Sequence, residues 1–410
     1  MKHLVDTWLR QALTRLPGSL FAPSGRGAVC IEVERTRDPR HGDFASNVAM
    51  RLASAARRNP RALAEAIKSA LPSDAALAKV EIAGAGFINF YLSEHSYHDE
   101  IRRALRDDGN YGRCEVGRGR EVTVELASVE LASVESRAAL HAGHARQAAF
   151  GAGVAALLEA AGYRVTRKCR VVAAGGASAT ALAAIRQELA EFGVSFDSWA
   201  GDRSGPVPGE GSGALPAVSL FRGGGKLAPS AQPGEPITLR ALRAQVGNDA
   251  ARLFCVMRGY DKPLLFDLDL ARTRTLENPL YSMQYAHARV VSVQRQVEDR
   301  ALVVDRALEV DAARGCFALG LLIEPAERAL MRRVSAFPEV VAQSADERAP
   351  PVLAQYLRSL AHEFHAYHGA HRIVVPDAAL RDARVALVSA VGVAIRNGLR
   401  LLGVAAPDSV

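Results

Sequence analysis

The stretch that most constrains this chain is a strand pattern that leads, after a short gap, into a glycine-centred turn and a long helix. Glu121-Val122-Thr123-Val124-Glu125-Leu126 is apolar and β-prone, and Leu140-His141-Ala142-Gly143-His144 stands at the mouth of a long helical pattern. Gly143 brings no side chain, so the backbone there can approach a ligand closely. The imidazoles of His141 and His144 flank it and can donate to phosphate oxygens. The helix that starts here points its positive end at the same place. Taken alone, four residues are equally compatible with two solvated histidines at a helix start. The flanking sequence decides between the two.

With 410 residues, the chain has room for two or three domains. Charged residues make up 23% and hydrophobic ones 49%, a globular rather than a disordered composition. The net charge of +7 fits a polyanionic partner such as RNA. Cys30, Cys114, Cys169, Cys255 and Cys316 are far apart and form no Cys-x-x-Cys pair. That spacing argues against a zinc site or a disulfide framework and for a reducing cytoplasm. The start, Met1-Lys2-His3-Leu4-Val5-Asp6, lacks the apolar core of a signal peptide. No run reaches the roughly 18 apolar residues of a membrane span, so no membrane partner is expected.

Residues 1–112 read as a small α+β domain. Leu4 to Leu16 is an amphipathic helix, and Ala28 to Val33 a short strand. Asn59-Pro60 starts a helix with proline in the first position. Val80 to Ala83 and Phe87 to Leu92 are strands around the Gly84-Ala85-Gly86 turn. Residues 113–248 hold the strand–turn–helix signature. There Glu125-Leu126-Ala127-Ser128-Val129 is repeated at once as Glu130-Leu131-Ala132-Ser133-Val134, and Gly205 to Ala214 form a Gly/Pro/Ser-rich linker. Residues 249–410 are strongly helical, with long amphipathic patterns over Leu276 to Gln296, Val352 to His371 and Asp382 to Leu402, the last ended by Gly403. His362, His365, His368 and His371 step by three along one helix. No carboxylate or cysteine shares that spacing, so the pattern predicts a polar helix face rather than a metal site.

The flanking sequence resembles arginyl-tRNA synthetase, a class I aminoacyl-tRNA synthetase, over nearly the whole chain. The resemblance is carried by His41-Gly42-Asp43-Phe44-Ala45-Ser46-Asn47 and Ala83-Gly84-Ala85-Gly86-Phe87-Ile88-Asn89-Phe90 at the start. Leu157 to Arg167 follows the signature. Then come Phe266-Asp267-Leu268-Asp269-Leu270, Asn278 to Arg289, and the tail from Arg384 to Pro407 with Arg396-Asn397-Gly398-Leu399. The fold this implies is α/β plus all-α. It has a small α+β N-terminal domain that reaches the tRNA elbow, a shortened Rossmann-like catalytic core, and a helical anticodon-binding bundle of the DALR type. The resemblance places ATP over His141, Gly143 and His144. It implies tRNA contacts from Arg289, Arg358, Tyr367, Arg372 and Arg396, whose types suit phosphate forks and base stacking.

Three departures set this chain apart from the family pattern. Aligned back from His141, Glu135 stands where the family has an asparagine that helps hold the amino acid, and the Gly and Pro residues of that turn are absent. A carboxylate there would repel both the substrate carboxylate and the ATP phosphates. After Ser204 the family segment with the later strands, the adenine shelf and much of the arginine pocket has no counterpart. The sheet is expected to keep an open edge that the linker or a partner covers. Finally, the Lys-Met-Ser-Lys-Arg loop positions fall on Ala228-Pro229-Ser230-Ala231-Gln232, so both lysines are missing and Ala228, Ser230 and Ala231 mark a degenerate loop. Lys226 substitutes only if the loop shifts by two residues.

The sequence therefore predicts a truncated, degenerate paralogue that binds tRNA, an arginine isoacceptor by resemblance, without arginine activation. The alternatives are a working arginine–tRNA ligase and a structural or regulatory partner of a full-length synthetase or another enzyme. ATP is the only cofactor implied, with no metal, and the expected location is the cytoplasm.

Overall fold

The computed structural model describes residues 1–16, 31–36, 38–131, 140–173, 178–201, 218–223, 225–226, 237–303 and 318–410. The second copy of the five-residue repeat from Ala132 on, the Gly205–Ala214 linker, Glu135, and Ala228, Ser230 and Ala231 lie outside these residues. The chain divides into two compact units, Met1–Arg102 and Arg103–Val410.

In the first unit, helix α1 (Lys2–Arg15) buries Val5, Trp8, Leu9 and Ala12. Strands β1 (Val33–Arg35), β2 (Phe44–Ser46), β3 (Leu77–Ala83) and β4 (Phe87–Leu92) form one antiparallel sheet in the order β1-β2-β4-β3. Helices α2 (Val48–Ala56) and α3 (Pro60–Ala70) accompany the sheet. Asn59 caps α3, its side chain accepting from Arg61 N at 2.9 Å, with Pro60 in the first turn as the sequence predicts. The His41-Gly42-Asp43 stretch is a joint within this sheet. Asp43 N donates to Phe90 O at 2.8 Å, and the Asp43 carboxylate accepts from Leu92 N at 2.8 Å and from the Tyr97 hydroxyl. The short strand expected over Ala28 to Val33 is found at Val33–Arg35 among the described residues.

The second unit begins within α4 (Glu94–Asp107) and holds the nucleotide-fold signature. Among the described residues, strands β5 (Glu121–Leu131), β6 (Arg164–Ala173) and β7 (Ser198–Gly201) form a parallel, three-stranded sheet in the order β5-β6-β7. Helix α5 (Ala142–Ala160) and helix α6 (Ala179–Glu191) connect them. A second small sheet joins β8 (Val218–Arg222), β9 (Gly225–Lys226) and β10 (Leu264–Asp267), with β8 and β10 parallel. Helices α7 (Leu239–Val246) and α8 (Asn248–Val256) lie between the two sheets in sequence.

Residues aligned across neighbouring strands share a face of the sheet. Glu121, Thr123 and Glu125 of β5 align with Arg164, Thr166 and Lys168 of β6, so all six lie on one face. Five of the six are exposed, and Lys168 is half-buried. The opposite face carries Val122, Val124 and Val165, together with Arg167, whose guanidinium reaches Glu159 of α5 at 2.7 Å. A doubly wound parallel sheet buries both faces and reads as near-continuous apolar sequence. Here one face is covered by α5 and the other is polar. Gln147 of α5 accepts from Ser128 N of β5 at 2.9 Å.

The remaining described residues of the unit are mostly helical, as the sequence predicts. They include α9 (Pro279–Val303), α10 (Pro325–Ser335), α11 (Phe337–Asp346), α12 (Pro350–Ala370) and α13 (Ala378–Leu401). The helical interior is closed by a polar knot. Glu327, fully buried, accepts from Arg384 Nε at 2.8 Å and from the Tyr367 hydroxyl at 3.2 Å. Three helices, α10, α12 and α13, thus meet at one carboxylate.

Candidate functional site

The N-terminus of α5 is built from its own histidines. His141 is the N-cap, in extended conformation, and its Nδ1 accepts from Gly143 N at 3.1 Å. His144, one turn in, returns the bond, its Nδ1 accepting from His141 N at 3.2 Å. This is a capping box with imidazoles in place of the usual hydroxyl and carboxylate. Because both Nδ1 atoms accept from backbone N–H groups, neither carries a proton. Each neutral ring therefore has its hydrogen on Nε2. The rings pack with centroids 3.9 Å apart. Burial and the neighbouring His141 push the His144 pKa down to about 4, and burial lowers that of His141. Near neutral pH the pair is uncharged and presents two Nε2–H donors with no partner among the described residues.

The same N-terminus is tied to the start of α7. His141 and Thr238 form an isolated antiparallel bridge, Ala142 N donates to Ile237 O at 3.0 Å, and Leu239 N donates to Leu140 O at 2.6 Å. The stretch that follows residues 227–236 is thereby fixed against the histidines. Two of the α5 N-terminal amides, those of Ala142 and Gly143, are already used inside the protein, so the backbone share of an anion site at this helix end is reduced.

Sequence reasoning passed over Arg146, although a lone arginine in an Ala/Gly-rich helix is a signal for a buried guanidinium. Arg146 is fully buried on α5, and its Nη2 donates to Gly259 O at 2.7 Å and to Lys262 O at 2.6 Å. It anchors the turn between α8 and β10 to the signature helix.

The residues proposed from the sequence for RNA contact fall into three groups. Arg358 and Arg372 are exposed, with no side-chain partner among the described residues. Arg289 is half-buried over the Tyr285 ring, 4.4 Å from its centroid, and donates to the Tyr285 hydroxyl at 3.0 Å. Arg396 is paired with Asp108. Tyr367 corrects the sequence expectation. It is only 2% exposed and bonded to Glu327, so its ring is core and cannot stack on a base.

His362, His365 and His368 of α12 and His371 at its C-terminal cap also differ from the expected single polar face. His365 is buried and donates from Nε2 to Ser282 O at 2.9 Å, which leaves Nδ1 bare and without a partner among the described residues. His371 stacks on Tyr367 with centroids 4.7 Å apart, while His368 is half-buried and His362 exposed. His365 lies 5.7 Å from Tyr285 and Tyr285 lies 5.4 Å from Tyr281, ring centre to ring centre. The result is an aromatic row on α9 and α12 with the Arg289 cation over Tyr285, which sequence spacing on single helices did not reveal. Among the described residues no group of three or more His, Cys, Asp or Glu is arranged to hold a metal ion.

Comparison with known proteins bears on both the signature and the helical bundle. Residues 5–92 match the family model described as the arginyl tRNA synthetase N terminal domain, and residues 283–410 match the DALR anticodon binding domain. An arginine–tRNA ligase of Thioalkalivibrio sulfidiphilus is 31% identical over 598 aligned positions that span 100% of each chain. The chain belongs to the arginyl-tRNA synthetase family. An arginine–tRNA ligase of Halorhodospira halophila is 32% identical over 596 positions, again across 100% of both chains. The arginyl-tRNA synthetase of Thermus thermophilus has the same fold, with a TM-score of 0.69 at 18% identity and 100% of both chains covered. That of Plasmodium falciparum superposes with a TM-score of 0.64 at 10% identity, covering 100% of this chain and 99% of its own. The N-terminal domain, the class I core and the helical anticodon domain are those of the family. The Thioalkalivibrio alignment runs over 598 positions and this chain has 410 residues, so at least 188 aligned positions have no residue of this chain.

Proposed function

We propose that this arginyl-tRNA synthetase relative binds tRNA, with an arginine isoacceptor as the first candidate, and does not activate arginine. The observation that carries the reading is the polar, exposed face formed by Glu121, Thr123, Glu125, Arg164, Thr166 and Lys168. A doubly wound nucleotide fold puts an apolar layer there. This sheet is finished by polar side chains instead, which fits a core that works without the missing strands. The aligned positions left empty point the same way, as do Glu135, Ala228 and Ala231 in the sequence. Residues 1–112, 113–248 and 249–410 serve in this reading as elbow-binding, shortened nucleotide-binding and anticodon-binding domains, in the cytoplasm.

RNA binding is supported by the anticodon-domain match, the net charge of +7, the exposed Arg358 and Arg372, and the half-buried Tyr281–Tyr285 pair. Arginine-dependent ATP–pyrophosphate exchange by the purified protein, with and without tRNA, tests the loss of activation. Steady exchange would overturn it. A second reading, a working arginine–tRNA ligase, is favoured by the two Nε2–H donors of His141 and His144 that have no partner among the described residues, where ATP would sit, and by the relatives being arginine–tRNA ligases. Competitive ATP titration separates the two. Low-micromolar affinity abolished by His144→Ala supports the second reading, and no ATP binding supports the first. An electrophoretic mobility assay with bulk tRNA that shows no shift leaves a role as partner of another protein.

A further inference from the structure

The end of α13 and the tail behind it close over a buried cation. Arg252 of α8 is 3% exposed and has no ion-pair partner among the described residues. Its Nη1 donates to Phe192 O at 2.6 Å, its guanidinium carbon lies 5.5 Å from the centre of the Phe192 ring, and its Nε has no partner among the described residues. Gly193 and Gly403 flank it, both with positive φ. A Cβ on Gly193 would sit 2.9 Å from Nη1, and a Cβ on Gly403 would overlap Nη2. The guanidinium is boxed by two glycine backbones and one ring.

The tail is tethered along α9. Gln284 Nε2 donates both to Asp249 of α8 at 3.1 Å and to Ala405 O at 3.0 Å. His287 Nδ1 donates to Pro407 O at 3.1 Å, and Arg295 reaches Asp408 at 3.3 Å. On the other side of Arg252, contacts lead to the histidine signature. Phe192 caps α6, and the preceding Glu191 accepts from Arg243 of α7 at its side chain, 3.0 Å, and at its backbone carbonyl, 2.9 Å. Helix α7 starts at Thr238, which pairs with His141.

We propose that Arg252 is a latch through which the C-terminal tail sets the placement of the α6–α7 corner, and with it the His141–Thr238 pair. Asp249, one turn back on α8, is a counter-charge to Arg252 but makes no direct ion pair with it among the described residues, and a buried cation so placed is unfavourable unless the surroundings hold it there. With the tail in place, the cation is shut in and clamps the end of α6. When the tail is displaced, the guanidinium gains water, leaves Phe192 O, and frees the corner on which α7 rests. The latch requires α6–α7 to have a loosened state that the tail opposes. It stands whether or not the chain activates arginine.

Hydrogen exchange on the full chain tests it. Gly403→Ala pushes a methyl group into Nη2, and Arg252→Met removes the donor and the charge. Each is expected to raise exchange at least tenfold in residues 188–194 and 238–243 while leaving 350–370 unchanged. At 188–194 and 238–243 the double variant is expected to add nothing to Arg252→Met, because the strain that alanine brings at the positive φ of Gly403 acts on the tail itself and reaches α6–α7 only through Arg252. Exchange that rises only in the tail, or double-variant effects that add at 188–194 and 238–243, would overturn the proposal. Should Gly403→Ala not fold, Arg252→Met alone decides, since wild-type exchange at 188–194 and 238–243 would refute the latch.

Discussion

Arg396 pairs with the carboxylate of Asp108, a residue 288 positions earlier in the chain. The contact belongs to a socket. Asn397 Nδ2 donates to Asp108 O at 2.7 Å and to Tyr111 O at 3.1 Å, Arg400 reaches Gly109 O, and the Tyr111 hydroxyl donates to Val334 O at 3.0 Å. Gly398 lets α13 lie close to α12, since a Cβ there would fall 2.5 Å from Leu357. The Arg396-Asn397-Gly398-Leu399 stretch thus holds residues 108–111 against the bundle. The sequence suggested an RNA contact for Arg396.

Asn397→Ala should therefore destabilise the protein by about 1–3 kcal/mol, because it strands two backbone carbonyls. Arg396→Ala should cost under about 1 kcal/mol, since the pair is partly exposed and screened. Urea unfolding measures both. In a tRNA-binding assay, Arg396→Ala should stay within about twofold of wild type. Arg358→Ala and Arg372→Ala, with exposed side chains, should each lose roughly one phosphate contact's worth of affinity.

The Glu327 knot gives a sharper stability test. Glu327→Ala leaves the Arg384 guanidinium and the Tyr367 hydroxyl without their shared acceptor, inside the bundle. The expected loss is about 3–5 kcal/mol. Tyr367→Phe removes only one donor and should cost about 1 kcal/mol. Thermal unfolding that shows equal effects would mean that the ion pair contributes nothing beyond the phenol bond.

Most of this architecture is legible in the sequence because it is written in local periodicity. Asn59-Pro60 starts α3, Gly403 follows the last helix with φ of +68°, and the helical patterns beyond residue 276 fall on α9, α12 and α13. The family was legible from ordered motifs. What the sequence hides is which side of a helix faces inward when neighbours are long-range. His365 and Tyr367 look like surface groups by spacing, yet Ser282 and Glu327, far away in the chain, bury and bond them. His141 and His144 were legible as a pair but not as each other's caps, because a capping histidine mimics a ligand-binding one in composition. Gln147, a residue that no strand pattern marks, is bonded from α5 to Ser128 N of β5.

Acid should weaken the fold through the signature histidines. His144 titrates near 4 in the folded chain and near its usual value of 6.5 when unfolded. Between those values the unfolded chain binds more protons, so stability falls as pH drops from 6.5 towards 4. Protonating Nδ1 would also set two donors against each other at His141 N. The full contribution is roughly 3 kcal/mol. His144→Asn keeps an acceptor for His141 N but does not titrate. The urea midpoint of this variant should therefore change less than that of wild type between pH 7 and pH 4.5. Identical pH profiles would show that His144 is not the buried neutral base described here.

Binding of tRNA should fall steeply with salt and depend on the helical bundle more than on the signature. Each phosphate neutralised by Arg or Lys releases counterions, so affinity should drop by orders of magnitude between about 50 and 200 mM salt if six or more phosphates are contacted. Tyr285→Ala removes the ring under Arg289 and the centre of the row with Tyr281 and His365. A base that stacks there would lose about 1–3 kcal/mol with little change in salt slope. Arg358→Ala should instead lower the slope by about one unit without altering sequence preference. His141→Ala should leave tRNA affinity near wild type, because its Nδ1 serves the α5 cap. A filter-binding series over salt separates these outcomes. If Tyr285→Ala and His141→Ala weaken binding equally, the anticodon-domain assignment of the RNA face fails.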